Sequence, residues 1–199
     1  MAVGLRGMEF ALEVGERIFL RYPVASDRDE YIALMRSSRE HMKPWEPERP
    51  NGYDAWGDDT FDREMQQRNT DVGERWVICR IEDGALVGRL AITGIERGPF
   101  QNGRFGYWIG AAHLRRGYMT EALRLGVHRC FSAMGLHRVS ASVMPRNEAS
   151  LRALKSVGFE RVGLSPRYLK ISGVWEDHEH WAITAEMIDG PWNVGPDQA

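Results

Sequence analysis

The chain has 199 residues, 43% of them apolar, and a formal net charge of −2. That is enough apolar material for the core of one domain, and the near-neutral balance excludes the strongly basic surface by which proteins hold nucleic acid through counterion release. No apolar run approaches the ~20 residues that span a bilayer, and the first seven residues lack the basic-then-apolar order of a signal peptide, so a cytoplasmic protein with no membrane or direct nucleic-acid partner is expected.

Phe10 to Val14 and Ile18 to Tyr22 flank Gly15-Glu16 and predict a hairpin entering a sheet. Residues 1–17 read as an N-terminal extension with this first strand, 18–187 as the domain, and 188–199 as a loose tail. Asp27 can cap a helix reaching about Arg39, with Tyr31, Leu34 and Met35 turned inward. A Pro/Gly/Trp-rich stretch from Lys43 to Gly57 precedes a helix from Asp59 to about Arg68. Trp76 to Glu82 and Ala85 to Ile95 are joined by Asp83-Gly84, the pair that suits a two-residue type I′ turn. Phe105 to Ile109 completes an antiparallel meander.

Beyond it, Met119, Ala122, Leu123, Val127, Cys130, Phe131 and Met134 recur at helical spacing, so a helix from Gly117 to Met134 crosses over to a strand from Arg138 to Val143. Helical crossovers join parallel neighbours. Asn147 caps a further helix that closes on Gly158-Phe159; after a bend at Ser165-Pro166 the last strand runs from Trp175 to Thr184. The result is an α/β (α+β) fold, a mixed sheet with helices on both faces. Cys79 and Cys130 read as reduced, buried thiols.

One turn carries chemistry on its own. Leu114-Arg115-Arg116-Gly117-Tyr118-Met119-Thr120 puts a basic glycine turn between the strand Phe105 to Gly110 and a helix start, where unpaired amides and the helix dipole favour an anion such as pyrophosphate. Together with His137 to Ser150 and the helix Leu151 to Phe159, this segment resembles the acetyl-coenzyme A core of the GNAT acyltransferase superfamily. Lys43-Pro44-Trp45-Glu46-Pro47 and Arg167 to His178 narrow the likeness to ribosomal-protein N-terminal acetyltransferases of the RimJ/RimL type, from about Ile18 to Met187.

That resemblance implies acetyl-CoA as cofactor, in a mostly antiparallel sheet whose parallel strands, Phe105 to Ile109 and Arg138 to Val143, splay to admit it. Arg115, Arg116, Gly117, Tyr118, Met119 and Thr120 would face the pyrophosphate, Trp108, Ile109 and Gly110 would line the splay and offer a backbone N–H to the acyl oxygen, and Asn147 would contact the cofactor arm. The chain departs from the family pattern at Leu114, where Gln or Arg usually stands, at Met119, where Gly or Ala does, and at Leu154, where many members carry a tyrosine acid. Ser150 is then the nearest hydroxyl to steady the leaving thiolate.

For a base the candidates are Glu46, Glu96, Asp177 and His178. An α-amino group loses its proton at a cost roughly 3.5 kcal/mol below that of a lysine, so a carboxylate acting through water suffices. Trp45, Glu46, Tyr168, Asp177 and His178 are expected around the acceptor, with alternation sending Asp177 and His178 to opposite faces. His178 and His180 share a face without a placed carboxylate, and no metal is expected. The expected function is acetyl transfer to the α-amino group of a protein N-terminus, of ribosomal-protein type. Acetylation of a small amine, such as an antibiotic or polyamine, and a non-catalytic acetyl-CoA-binding module stay open, as does the choice between monomer and homodimer.

Overall fold

A computed structural model describes residues 6–47, 49 and 53–188. Its centre is a sheet made from β1 (Glu13–Val14), β2 (Ile18–Arg21), β3 (Asn69–Thr70), β4 (Gly73–Arg80), β5 (Leu86–Glu96), β6 (Asn102–Ile109), β7 (Arg138–Val143), β8 (Glu160–Ile171) and β9 (Val174–Thr184). They are ordered β1-β2-β4-β5-β6-β7-β9-β8, with β3 on β4. Every pairing is antiparallel except β6 with β7, the pair joined by a helical crossover. This is the mixed α/β, mostly antiparallel sheet that the alternating pattern predicts.

Helices cover both faces. α1 (Arg28–Ser37), the short α2 (Arg39–Met42) and α3 (Asp58–Gln66) lie on one side, and α4 (Tyr118–Ser132) and α5 (Glu148–Val157) on the other. Two apolar clusters follow. Phe19, Tyr31, Met35, Phe61 and Val77 form the smaller one; Trp76, Leu90, Phe105, Leu123, Leu154 and Ile183 anchor the larger. Each fully buried side chain of this size contributes about 1.5–3 kcal/mol. Gly126 lets α4 lie close to the sheet, since a Cβ there would stand 2.5 Å from Leu90. Both cysteines are free and buried, and burial pushes the Cys79 thiol up to about 12. Among the described residues no helix is long and apolar enough to cross a membrane.

Several local expectations are corrected. Asp27 opens α1 but does not cap it: its carboxylate turns back to the buried Arg21 (2.7 and 2.8 Å) and to the Val24 amide, because an unpaired buried guanidinium would cost more than an uncapped helix. The helix stops at Ser37 instead of Arg39. Between β4 and β5 only Gly84 has positive φ, and the turn is a four-residue loop closed by Gly84 N–H to Arg80 O rather than a two-residue type I′ turn. Phe10 is an exposed part of a 3₁₀ turn, and the first strand shrinks to β1. β3 and β8 were not expected. β8 is an edge strand interrupted by register shifts at Arg161/Gly163 and Ser165/Leu169; Pro166 is tolerated there because an edge needs no donor. Of the expected tail, 189–199 lie outside the described residues, as do 1–5 of the extension and 48 and 50–52 of the Lys43 to Gly57 stretch.

Candidate active site

The parallel pair is splayed. β6 pairs with β7 only from Asn102↔Arg138 to Phe105↔Ala141, although β6 continues to Ile109 and β7 to Val143. Beyond Phe105, β7 keeps its ladder with β9 and β6 keeps its ladder with β5, so the two halves of the sheet part between them. Gly110 N–H donates to Val87 O at 2.9 Å. Antiparallel alternation then commits the Trp108 amide to β5 and turns the Tyr107 and Ile109 amides toward the opening. Of the expected strand donors, therefore, Ile109 is the one with its N–H facing the gap. Gly110 is a packing residue, since a Cβ there would meet Leu34 at 2.4 Å, whereas Gly106 opens onto free space with only Arg89 near, at 3.7 Å.

At one end of the gap stands the N-terminus of α4. Gly117 has φ 77° and no side chain caps the helix, so its first amides are free for an anion. Arg115, also in the left-handed region (φ 59°), and Arg116 are exposed and without an ion pair among the described residues. Arg17 crosses from the β1–β2 turn to hold this loop: it donates to Arg116 O at 2.8 Å, lies over the Tyr118 ring, and pairs with Glu121 at 2.9 Å. Glu121 also accepts the Arg17 and Ile18 amides, which turns its charge away from the helix mouth. Met119 packs partly into the core and Thr120 is half-buried. An uncapped helix start, flanking arginines and a Cβ-free bend fit a pyrophosphate, with Leu114 exposed and contributing no donor.

At the other end stands α5. Asn147 accepts the Ser150 amide at 3.2 Å, and Gly158 (φ 103°) closes the helix. Ser150 Oγ lies 2.6 Å from the hydroxyl of Tyr107, a residue the sequence had not singled out. Burial pushes the Tyr107 phenol up to about 12, against the opposing effect of its bond to Ser150, so at neutral pH it keeps its proton and either hydroxyl can donate to the other. Leu154 is fully buried in the larger cluster and offers nothing to the gap. The hydroxyl pair stands on the strand side of the opening instead.

The face of α1 and α3 carries the remaining candidates. Its floor is Gly106 and Trp108, with Arg89 beneath: Arg89 donates to Glu64 (3.0 and 3.1 Å) and to Gly106 O (3.2 Å), and Arg75 shares the same buried Glu64. Burial opposes the charge on Arg89, yet the carboxylates of Glu64 and, further off, Glu46 raise its pKa. Arg75 is lowered, by burial first and then by Arg89. Trp45 packs under Arg146 (5.0 Å), which pairs with Glu176 at 2.8 Å; Pro47 bridges to Ile171 and Ser172 donates to Lys43 O. The Lys43–Pro47 segment and the β8–β9 hairpin, 129 residues apart at the Ser172–Lys43 contact, thus touch one another. Glu46 is paired with Arg49 at 2.6 Å.

Tyr168 packs on His178 (5.4 Å) and His180 (4.7 Å). His178 is buried and donates through Nδ1–H to Glu176 O at 3.0 Å, which leaves Nε2 as an acceptor. Asp177 does not join them. It lies on the opposite face and accepts the Arg167 amide at 2.7 Å, supporting a backbone with φ 51°, so its place is structural. Glu96 ends β5 beside Asn102, at the paired end of β6 and away from the splay.

Comparison with known proteins decides the identity of this geometry. A model of the acetyltransferase (GNAT) domain matches residues 17–160. The chain belongs to the GNAT acetyltransferase family. As such it uses acetyl-CoA and is an N-acetyltransferase. A Bacillus subtilis (strain 168) relative named "Probable N-acetyltransferase YjcK" is 35% identical over 171 residues, covering 85% of this acetyltransferase and 94% of the relative. The Escherichia coli (strain K12) ribosomal protein uS5-alanine N-acetyltransferase is 30% identical over 177 residues, covering 85% and 88%. Among solved structures, Mycobacterium smegmatis RimJ in complex with CoA-disulfide superposes with a TM-score of 0.80 at 32% identity, covering 88% of this chain and 86% of that one.

Proposed function

We propose that this acetyltransferase acts on the α-amino group of a protein N-terminus, a ribosomal protein being the acceptor named for its Escherichia coli uS5-alanine relative. The observation that carries this reading is the meeting of the Lys43–Pro47 segment with the β8–β9 hairpin, which brings Trp45 and the Tyr168/His178 stack, aromatic surface that suits an extended chain end, from distant parts of the sequence to one side of the sheet. A ribosomal acceptor would place the enzyme in the cytoplasm.

Acetyl-CoA supplies the acyl group as a thioester; the chain supplies its place and the proton traffic. Arg115, Arg116, Thr120 and the first amides of α4 hold the pyrophosphate, Asn147 the arm, and Ile109 N–H the acyl oxygen. In the order where Tyr107 donates to Ser150 Oγ, the Ser150 proton is left for the gap, where a sulfur leaving as thiolate requires one donor. On the acceptor side His178 Nε2, with Nδ1 fixed by Glu176 O, takes the proton of the ammonium directly or through water. Glu46 serves as electrostatic partner of the ammonium.

The test is incubation with acetyl-CoA and a panel of N-terminal peptides and small amines, read by mass spectrometry. Peptide α-amino products support the reading, and Glu46→Gln should then slow peptide acetylation severalfold with acetyl-CoA affinity intact. Turnover of small amines alone would overturn it.

A further inference from the structure

We infer that Arg104 and Tyr168 build a carboxylate-binding subsite on the acceptor side, so that the preferred acceptor carries an acidic group within about four residues of its amine. The inference rests on the N-terminal reading above. β6 and β8 are not neighbours, since β7 and β9 lie between them. Even so, Arg104 of β6 donates through Nη1 to the Tyr168 hydroxyl of β8 at 3.2 Å, and the two side chains bridge the sheet face over β7 and β9. Tyr168 is held there by edge contact with His180 (4.7 Å), whose ring is itself fixed by Ser142 at Nδ1 (3.0 Å) and Ser165 at Nε2 (2.7 Å). The bridge is a rigid mount.

What it mounts is a cation with no counter-ion among the described residues. Of the other arginines on this side, Arg49 has Glu46, Arg146 has Glu176, and Arg75 and Arg89 divide Glu64 between them. Arg104, exposed, has only the phenol among the described residues. Glu64 alone pairs with both Arg75 and Arg89, so this side of the sheet carries more guanidinium than paired carboxylate under Gly106. Because the Tyr168 oxygen accepts from Arg104, its own proton is left to donate, so the pair presents donors only. A carboxylate satisfies both, and a polyamine would be repelled. Arg104 and Trp108 share a face of β6 four residues apart, about 13 Å at the rise of a strand. An extended peptide with its amine at the splay reaches Arg104 with one of its first four residues.

The test uses the full-length chain, acetyl-CoA and matched peptides with Glu, Gln or Lys at the third and fourth positions, beside small amines with and without a carboxylate. We expect kcat/KM for the Glu peptides to exceed that for the Gln peptides by about 5- to 20-fold, and Arg104→Glu to reverse the order in favour of Lys. Arg104→Lys should keep most of the preference and Tyr168→Phe part of it. Equal kcat/KM across the three peptides, or an unchanged order in Arg104→Glu, would overturn the subsite. If Arg104→Glu does not fold, loss of the preference in Arg104→Gln decides the same point. Should only small amines turn over, the N-terminal reading falls, and the subsite then stands or falls on whether the carboxylated amines are preferred.

Discussion

The proposed donor and acceptor sides of this enzyme are built by different physics. The donor side is made of backbone: an uncapped helix start, a strand amide facing a gap, and a second helix whose cap places Ser150. The acceptor side is made of side-chain charge, with Glu64 between two arginines, Glu46 on Arg49, and Arg146 shared by Trp45 and Glu176. A backbone site is specified by consecutive residues and tolerates neighbours that vary. A charge-built site depends on residues far apart and on every partner being present.

Glu64 is where that contrast breaks most sharply. Glu64→Gln leaves Arg75 and Arg89 buried without a counter-charge, which should cost about 3–5 kcal/mol of folding stability in denaturant titration, with the acetyl-CoA affinity of the surviving folded fraction retained. Donor affinity that falls as much as stability would mean the two sides are one unit. On the donor side, Ser150→Ala should lower kcat by about 10- to 1000-fold at little cost in acetyl-CoA binding. Tyr107→Phe should cost less, and the double variant should match Ser150→Ala alone, because Tyr107 acts through Ser150. Additive losses would separate them.

Gly117→Val tests the backbone itself. A β-branched residue at φ 77° is strained by about 1–2 kcal/mol and its Cβ would press on Arg17 at 3.0 Å, so calorimetry should find acetyl-CoA binding about 5- to 30-fold weaker. Unchanged binding would remove this turn from the cofactor site. The smallest effect concerns pH. Burial first, then His178 and Arg104, hold His180 below its ordinary value, so the unfolded imidazole takes the proton before the folded one. The corresponding stability is fully present above the unfolded pKa, about 6.5, and is lost as pH falls through the lower folded value. His180→Asn should flatten that part of the stability profile on the acceptor side, and a profile unchanged in this variant would assign the slope to other groups.

What was legible in the sequence follows the same division. The donor side could be read because a strand, a basic glycine turn and periodic helices follow one another, and because the resemblance falls on that run. Tyr107 escaped because an aromatic in a strand reads as core. The signal was present, however: Leu154 removes the usual acid, and Phe105, Tyr107 and Ile109 alternate onto the face of α5. β8 escaped because Gly163, Pro166 and a left-handed Arg167 interrupt its pattern, which only an edge strand can tolerate. Nothing local marks Glu64 as the partner of Arg75 and Arg89, since a glutamate on a nine-residue helix reads as solvated until the sheet beneath it is known.

Arg17 ties this division together at one point. It comes from the turn that opens the sheet, and it clasps a loop about 100 residues later in the chain. Acetyl-CoA seated on this loop as proposed would therefore also restrain the first hairpin, and the unit that saturation protects against local opening would begin at the turn between β1 and β2.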